Sequence, residues 1–209
     1  MLTLDHLAIS ARTLDEGTAA VEAALGVPLA PGGQHPHMAT HNRLLSLGPD
    51  LYLEVIAADP AQPRPAWPRW FDLDRFTGPP RLTNWICRCD DLDAALAMSP
   101  PGTGTPVALA RGDFRWRMAV PDTGILPYDN TFPALIEWQG AAHPAPRLPD
   151  LGVRLIGLEI THPDADGLRH ALKGCLADPR PTDPWLTISA GPPGMRARLS
   201  TPQGERLLA

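Results

Sequence analysis

Three times along this chain a short apolar strand leads into an amphipathic helix and then back into strands. This recurrence limits the fold more than any other feature. The first copy is the clearest. Residues 4–10 read as a strand, and Thr13-Leu-Asp-Glu16 reads as a capping box that starts a helix. Leu14, Thr18, Val21 and Leu25 fall near one face of that helix, and Gly26 is a natural stop. After a Gly/Pro loop come two strands, about residues 39–47 and 51–57, joined by the tight turn Gly48-Pro-Asp50. The second copy runs from a strand at 82–89 through a short helix capped by Asp90 or Asp91 to strands at 114–120 and 133–138. The third has a strand at 153–161, a helix at about 166–175 and strands at 185–189 and 195–201.

Each unit of this kind has one apolar sheet face for its helix and one open face. Two units can close into a cup with the helices outside. An alternating α/β barrel would need a helix after every strand, and too few are present. The expected fold is α+β, with repeated βαβββ units forming a curved, cup-like mixed sheet and a shorter third unit at the C-terminal end. The expected organisation is a paired block at 1–148 and a C-terminal βαββ unit at 149–209 packed on the same domain. Within the block, unit one spans 1–60, a proline-rich linker 61–80 and unit two 81–140. Many of the 26 prolines sit between elements, including the stretches 60–68, 144–149 and 179–184, where they stiffen loops.

Composition removes several function classes. The chain has 209 residues and a net charge of −5, which argues against a general nucleic-acid surface. No apolar run approaches the roughly 20 residues that span a bilayer. The first residues enter a strand without the basic start and apolar stretch of a signal peptide. The three cysteines are an odd number, and Cys87-x-Cys89 lacks redox or zinc spacing. A reduced cytoplasmic protein is the expectation.

Strand alternation places the chemistry. His6 is expected to share a face with Leu4 and Ala8, and Glu54 with Tyr52 and Ile56, while Leu7, Ile9, Leu53 and Val55 take the other faces. A carboxylate inside a strand built for burial is costly unless it has a partner or a task. A weaker copy of the layout ends in Ala-Leu-Ile-Glu137-Trp. Arg115 and Arg117 share a face, and an arginine there could grip an anionic substrate bidentately. Three histidines cluster at 35, 37 and 41. His35 reads as a loop-fastening group and His41 as a weak acid/base candidate. Asn42 could point into the cup if His41 does not.

The segments Leu4-Asp-His6-Leu-Ala-Ile, Gly32-Gly-Gln-His35-Pro, Thr40-His41-Asn42-Arg43-Leu44, Leu51-Tyr-Leu-Glu54-Val-Ile and Leu135-Ile-Glu137-Trp resemble the vicinal oxygen chelate superfamily, and most closely its glyoxalase-like domain proteins. The resemblance implies metal ligands on the first and last strands of paired units. It maps His6, Glu54 and Glu137 onto those positions, with Asn84 standing where a stronger ligand is often found. One imidazole and two carboxylates suit Fe, Mn or Zn with positions left open for substrate oxygens. The ion would act as a Lewis acid while Glu54 or Glu137 moves a proton. Asn42, Asn84 and Arg115 are the expected substrate contacts. The implied activity is metal-dependent isomerase or lyase chemistry on a small oxygen-rich metabolite, in a protein that could be a homodimer. A non-catalytic binding or sequestering protein of the same fold is the alternative.

Overall fold

The computed structural model describes residues 1–176 and 185–209, so the linker expected at 179–184 lies outside the described residues. Strand β1 (Thr3–Ser10) opens the first unit. It is followed by helix α1 (Leu14–Leu25), where the Thr13 side chain accepts from the Glu16 amide and Gly26 ends the helix in the left-handed region at φ 70°. Strands β2 (Ala30–His35), β3 (Thr40–Ser46) and β4 (Tyr52–Ala58) complete the unit. The second unit is β5 (Arg81–Arg88), α2 (Leu92–Ala97), β6 (Thr105–Arg111), β7 (Phe114–Val120) and β8 (Ala134–Trp138). These eight strands form one mixed sheet in the order β2-β3-β4-β1-β5-β8-β7-β6. β1 and β5 meet antiparallel at its centre, and each lies parallel to the last strand of its own unit. The sheet curls until its two edges meet, since Arg111 on β6 reaches His35 on β2.

β2 and β6 are additions to the strands expected from sequence. β2 is the sequence APGGQH, whose prolines and glycines hide it. His35 therefore sits on a strand, and not in a loop.

The third unit comprises β9 (Arg154–His162), α3 (Ala165–Leu172), β10 (Leu186–Ala190), β11 (Gly194–Thr201) and β12 (Gly204–Leu208). Its sheet order is β10-β9-β11-β12. It does not repeat the first two units, because its opening strand pairs in parallel with the strand directly after the helix and not with the last strand of the unit. One buried core joins it to the large sheet. Leu7, Ile9, Leu53, Val55 and Trp85 on the outer sheet face share that core with Val21 and Leu25 of α1 and with Leu158, Ile160 and Leu199 of the small sheet. Gly17 lets α1 settle on the sheet, since a Cβ there would come within 2.6 Å of a Val55 methyl. Truncating a side chain such as Leu7 or Leu53 to alanine costs about 2–5 kcal/mol in a core of this kind.

The inner face of the curl carries a second cluster that includes Ala8, Ile56, Ile86, Met118 and Ile136. The linker supplies its cover. Trp70, Phe71 and Leu73 turn inward and pack against that face, so this stretch is a strap across the cup as well as a connection. Phe71 and Asp72 hold φ of 59° and 54°, a left-handed conformation that costs L residues about 1–2 kcal/mol each.

Candidate active site

A β-bulge builds the site. Along β1 and β5, Leu4 pairs with Cys87 and His6 with Ile86, which leaves Asp5 as the extra residue. Alternation breaks there. Leu4 joins the outer core, not the face of His6 as strict alternation predicts, and both Asp5 and His6 turn toward the cup. Asp5 is fully buried. Its Oδ1 accepts from His6 Nδ1 at 2.6 Å, and its Oδ2 accepts from Trp138 Nε1 and His143 Nε2, each at 3.0 Å. Burial alone would raise the Asp5 carboxyl, but the hydrogen bonds from His143 and His6 outweigh it and hold the group well below the usual carboxylate range.

With Nδ1 committed to Asp5, the His6 ring presents Nε2 to the cup, 3.7 Å from Glu54 Oε2. Tyr52 stacks on the imidazole with ring centroids 4.4 Å apart. Burial, and then the Asp5 and Glu54 carboxylates, push the Tyr52 phenol up, so it stays protonated. Glu54 Oε1 accepts from Asn42 Nδ2 at 2.5 Å. Asn42 Oδ1 in turn accepts from the Gly33 amide at 2.7 Å and from Arg111 Nη1 at 3.1 Å. Gly32 and Gly33 permit this approach, because a Cβ at Gly32 would collide with Asn42 and one at Gly33 with Arg111.

His35 closes the ring of contacts. Its Nε2 accepts from Arg111 Nη1 at 3.3 Å, which leaves Nδ1 to donate to Thr40 Oγ1 at 3.0 Å. Burial, followed by the Arg111 charge, pushes this imidazole down to about 3, so it is neutral. Among the described residues, the polar contacts of the Arg111 guanidinium are these two neutral groups, with no carboxylate partner. The cavity at this site is about 30 Å³, far below the roughly 300 Å³ at which small-molecule pockets begin. Trp70, Trp116 and Trp138 wall it.

The expected residues divide. His6, Glu54 and Asn42 meet in the cup. Asn84 lies on the cup face of β5, opposite Ala8, fully buried and with neither side-chain polar atom partnered among the described residues. Glu137 does not join them. The inner residues of β8 are Ala134, Ile136 and Trp138, so odd positions point outward. Glu137 accepts from Arg117 Nη1 at 3.1 Å and from the Leu92 amide at the start of α2 at 2.9 Å. Arg115 is exposed, and its guanidinium donates to the backbone carbonyls of Gly112 and Phe114. Arg111, Asp5 and His35 stand in the site instead. The adjacency of Asp5 and His6 was a signal for Asp5. Arg111 ends a strand whose proline obscured it.

The donor set can be tested against a divalent metal. His6 and Glu54 offer one donor each. Asp5 has both oxygens engaged, and Asn42 Oδ1 faces a guanidinium. Among the described residues, no three His, Cys, Asp or Glu side chains converge as a metal site. A fixed positive charge beside the remaining donors opposes a dication. The residues present do not make the three-donor centre expected from sequence.

A curled eight-stranded mixed sheet of two βαβββ halves, with its polar groups inside the curl, defines a glyoxalase-like architecture. Residues 4–176 match the family described as "Glyoxalase-like domain", so this chain belongs to that family, within the vicinal oxygen chelate superfamily. No curated protein matches the chain. Among solved structures, a hypothetical protein from Staphylococcus aureus is 12% identical with a TM-score of 0.59, covering 91% of this chain and 87% of that one. That likeness shows a shared fold. Methylmalonyl-CoA epimerase from Mycobacterium tuberculosis is 21% identical over 66% of this chain and 88% of that one, with a TM-score of 0.42. A 4-hydroxymandelate synthase mutant from Streptomyces coelicolor is 16% identical over 68% and 50%, with a TM-score of 0.39.

Proposed function

We propose that this protein is a glyoxalase-like enzyme that moves a proton on a small organic acid, in isomerase- or lyase-type chemistry. The carrying observation is the chain Asp5–His6–Glu54 opposite Arg111, a guanidinium with no carboxylate partner among the described residues. Asp5 fixes the tautomer of His6, so Nε2 is the base facing the cavity. Glu54, held by Asn42, stands next to that nitrogen and can take or return the same proton. Arg111 binds the substrate carboxylate bidentately and lowers the cost of charge developing on the neighbouring carbon. Neutral His35 and protonated Tyr52 add no competing charge. No step is assigned to a metal ion, because the donor set does not provide its seat.

The test is solvent-deuterium incorporation into a panel of small 2-oxo and 2-hydroxy acids, followed by proton NMR. The reading expects exchange at one carbon, a loss of at least about 100-fold in His6→Ala and Glu54→Gln, and a raised KM in Arg111→Ala. If no acid exchanges but one binds in an Arg111-dependent way, the non-catalytic binder replaces the enzyme. Stoichiometric metal retained by wild type and lost in His6→Ala and Glu54→Ala would overturn the metal-free site.

A further inference from the structure

The cup has no room for the substrate that its polar groups are arranged to hold. Its free space is about 30 Å³, because Trp70, Phe71 and Leu73 fill the half built from Ala8, Ile86, Ala134 and Ile136. The strap is tethered at both ends. Arg69 donates to both oxygens of Asp74 and to the Ala39 carbonyl, and the Asp72 amide donates to the Gly124 carbonyl. Between Arg69 and Asp74, Phe71 and Asp72 are left-handed without being glycine. Phe71 also walls a second cleft of about 670 Å³, which gives the ring somewhere to go. Two buried polar groups of the covered half have no partner among the described residues: the Trp70 indole N–H and the whole side-chain amide of Asn84. A buried amide with neither atom satisfied by the protein calls for a partner from outside the chain, a water or a ligand group.

We propose that residues 70–73 form a movable plug standing where the substrate sits, and that its departure uncovers Asn84 as an uncharged recognition amide for a carbonyl or hydroxyl oxygen of that substrate. The inference rests on the small-organic-acid reading above. Arg111 takes the carboxylate, His6 and Glu54 face the carbon that loses its proton, and Asn84 reads the oxygen on the far side. Phe71 swings toward the larger cleft as the ligand enters.

Amide hydrogen exchange on the whole protein, with and without malonate as the probe, tests the plug. The amides of Asp72, Leu73 and Arg75 should exchange at least 100-fold faster than those of Leu7 and Trp85, and saturating malonate should speed them several-fold further. Strap amides as slow as Trp85 in both conditions overturn the plug. A strap that opens alone but ignores malonate keeps the plug and overturns the organic-acid reading. Asn84→Ala and Asn84→Leu bracket the side-chain volume. At least one should melt at or above wild type, because an unpaired amide is being removed, and both should raise the malonate concentration that gives half of the exchange response at least tenfold. A fall of more than about 5 °C in both variants overturns the role of Asn84, since it would show an amide that is already satisfied.

Discussion

Replacing Asp5 by asparagine keeps the side chain's shape and removes the charge from the centre of the most buried polar cluster. The carboxylate accepts three hydrogen bonds, from His6, Trp138 and His143. An asparagine oxygen can keep two of them, but its NH2 must then face a donor, so one imidazole loses its bond or changes tautomer. Hydrogen bonds to a charged group contribute about 1.5–3 kcal/mol each, and breaking a buried pair costs about 3–5 kcal/mol. Lifting the carboxylate's desolvation offsets part of that, leaving about 3 kcal/mol at neutral pH. For a chain of this length that is a fall in Tm of about 6–12 °C. The pH dependence has a fixed sign. The folded carboxyl lies below its ordinary value, so its contribution is complete above about pH 4 and shrinks as the pH falls below that. Urea melts of wild type and Asp5→Asn, followed by tryptophan fluorescence at pH 7, 5, 4 and 3, should show a constant gap down to pH 5 that narrows at pH 3. A gap of the same size at pH 3, or none at pH 7, refutes the ionised, triply bonded Asp5.

His35 is neutral in the fold and titrates near 6.5 when unfolded, so the unfolded chain takes up a proton between about 6.5 and 3 that the native chain does not. Stability should fall with decreasing pH below about 6.5, by up to about 1.4 kcal/mol per unit, and His35→Gln should flatten that slope in urea melts between pH 6 and 4.5. Glu137→Gln should leave proton exchange within about twofold of wild type and cost about 1 kcal/mol through weakened contacts with Arg117 and the start of α2. A large loss of activity in that variant would return Glu137 to the site. The Cys87 thiol is fully buried and pushed up by that burial, so it should react with a thiol reagent only after unfolding, whereas half-buried Cys175 should react in the native protein.

The parts of this fold that were legible in sequence are those where a local rule is strong. Thr13 and Gly26 bound α1 because capping and left-handed stops need particular side chains. The alternation of Tyr52, Glu54 and Ile56 into the cup followed from an unbroken strand. Failures occurred where one residue shifted the phase. The bulge at Asp5 moved Leu4 to the core and Asp5 to the site, and nothing in the local sequence marks a bulge. Glu137 looked like the counterpart of Glu54 because both sit in apolar strands. Pairing decides otherwise, and pairing is a long-range property.

That pairing also explains why only one half of the cup carries carboxylates. Ala8 lies beside Glu54 on β4, and Ile86 lies beside Ala134 on β8. A second bulge follows from Ala8 pairing with Asn84 while Ile9 pairs with Leu82, which leaves Thr83 as its extra residue. Thr83 and Asn84 thus occupy in unit two the places that Asp5 and His6 hold in unit one, and Ala134 occupies that of Glu54. The duplicated frame repeats the geometry without the titratable groups. In place of Asp5's carboxylate, Thr83 offers a hydroxyl 2.6 Å from that of Ser10. A pair of identical halves would crowd like charges around a shared axis, where two carboxylates in one dry cavity oppose each other's ionisation. A second half without carboxylates in the cup avoids that conflict, sets Arg111 of β6 facing the cavity as a cation, and gives the apolar rings of the strap a surface on which to rest.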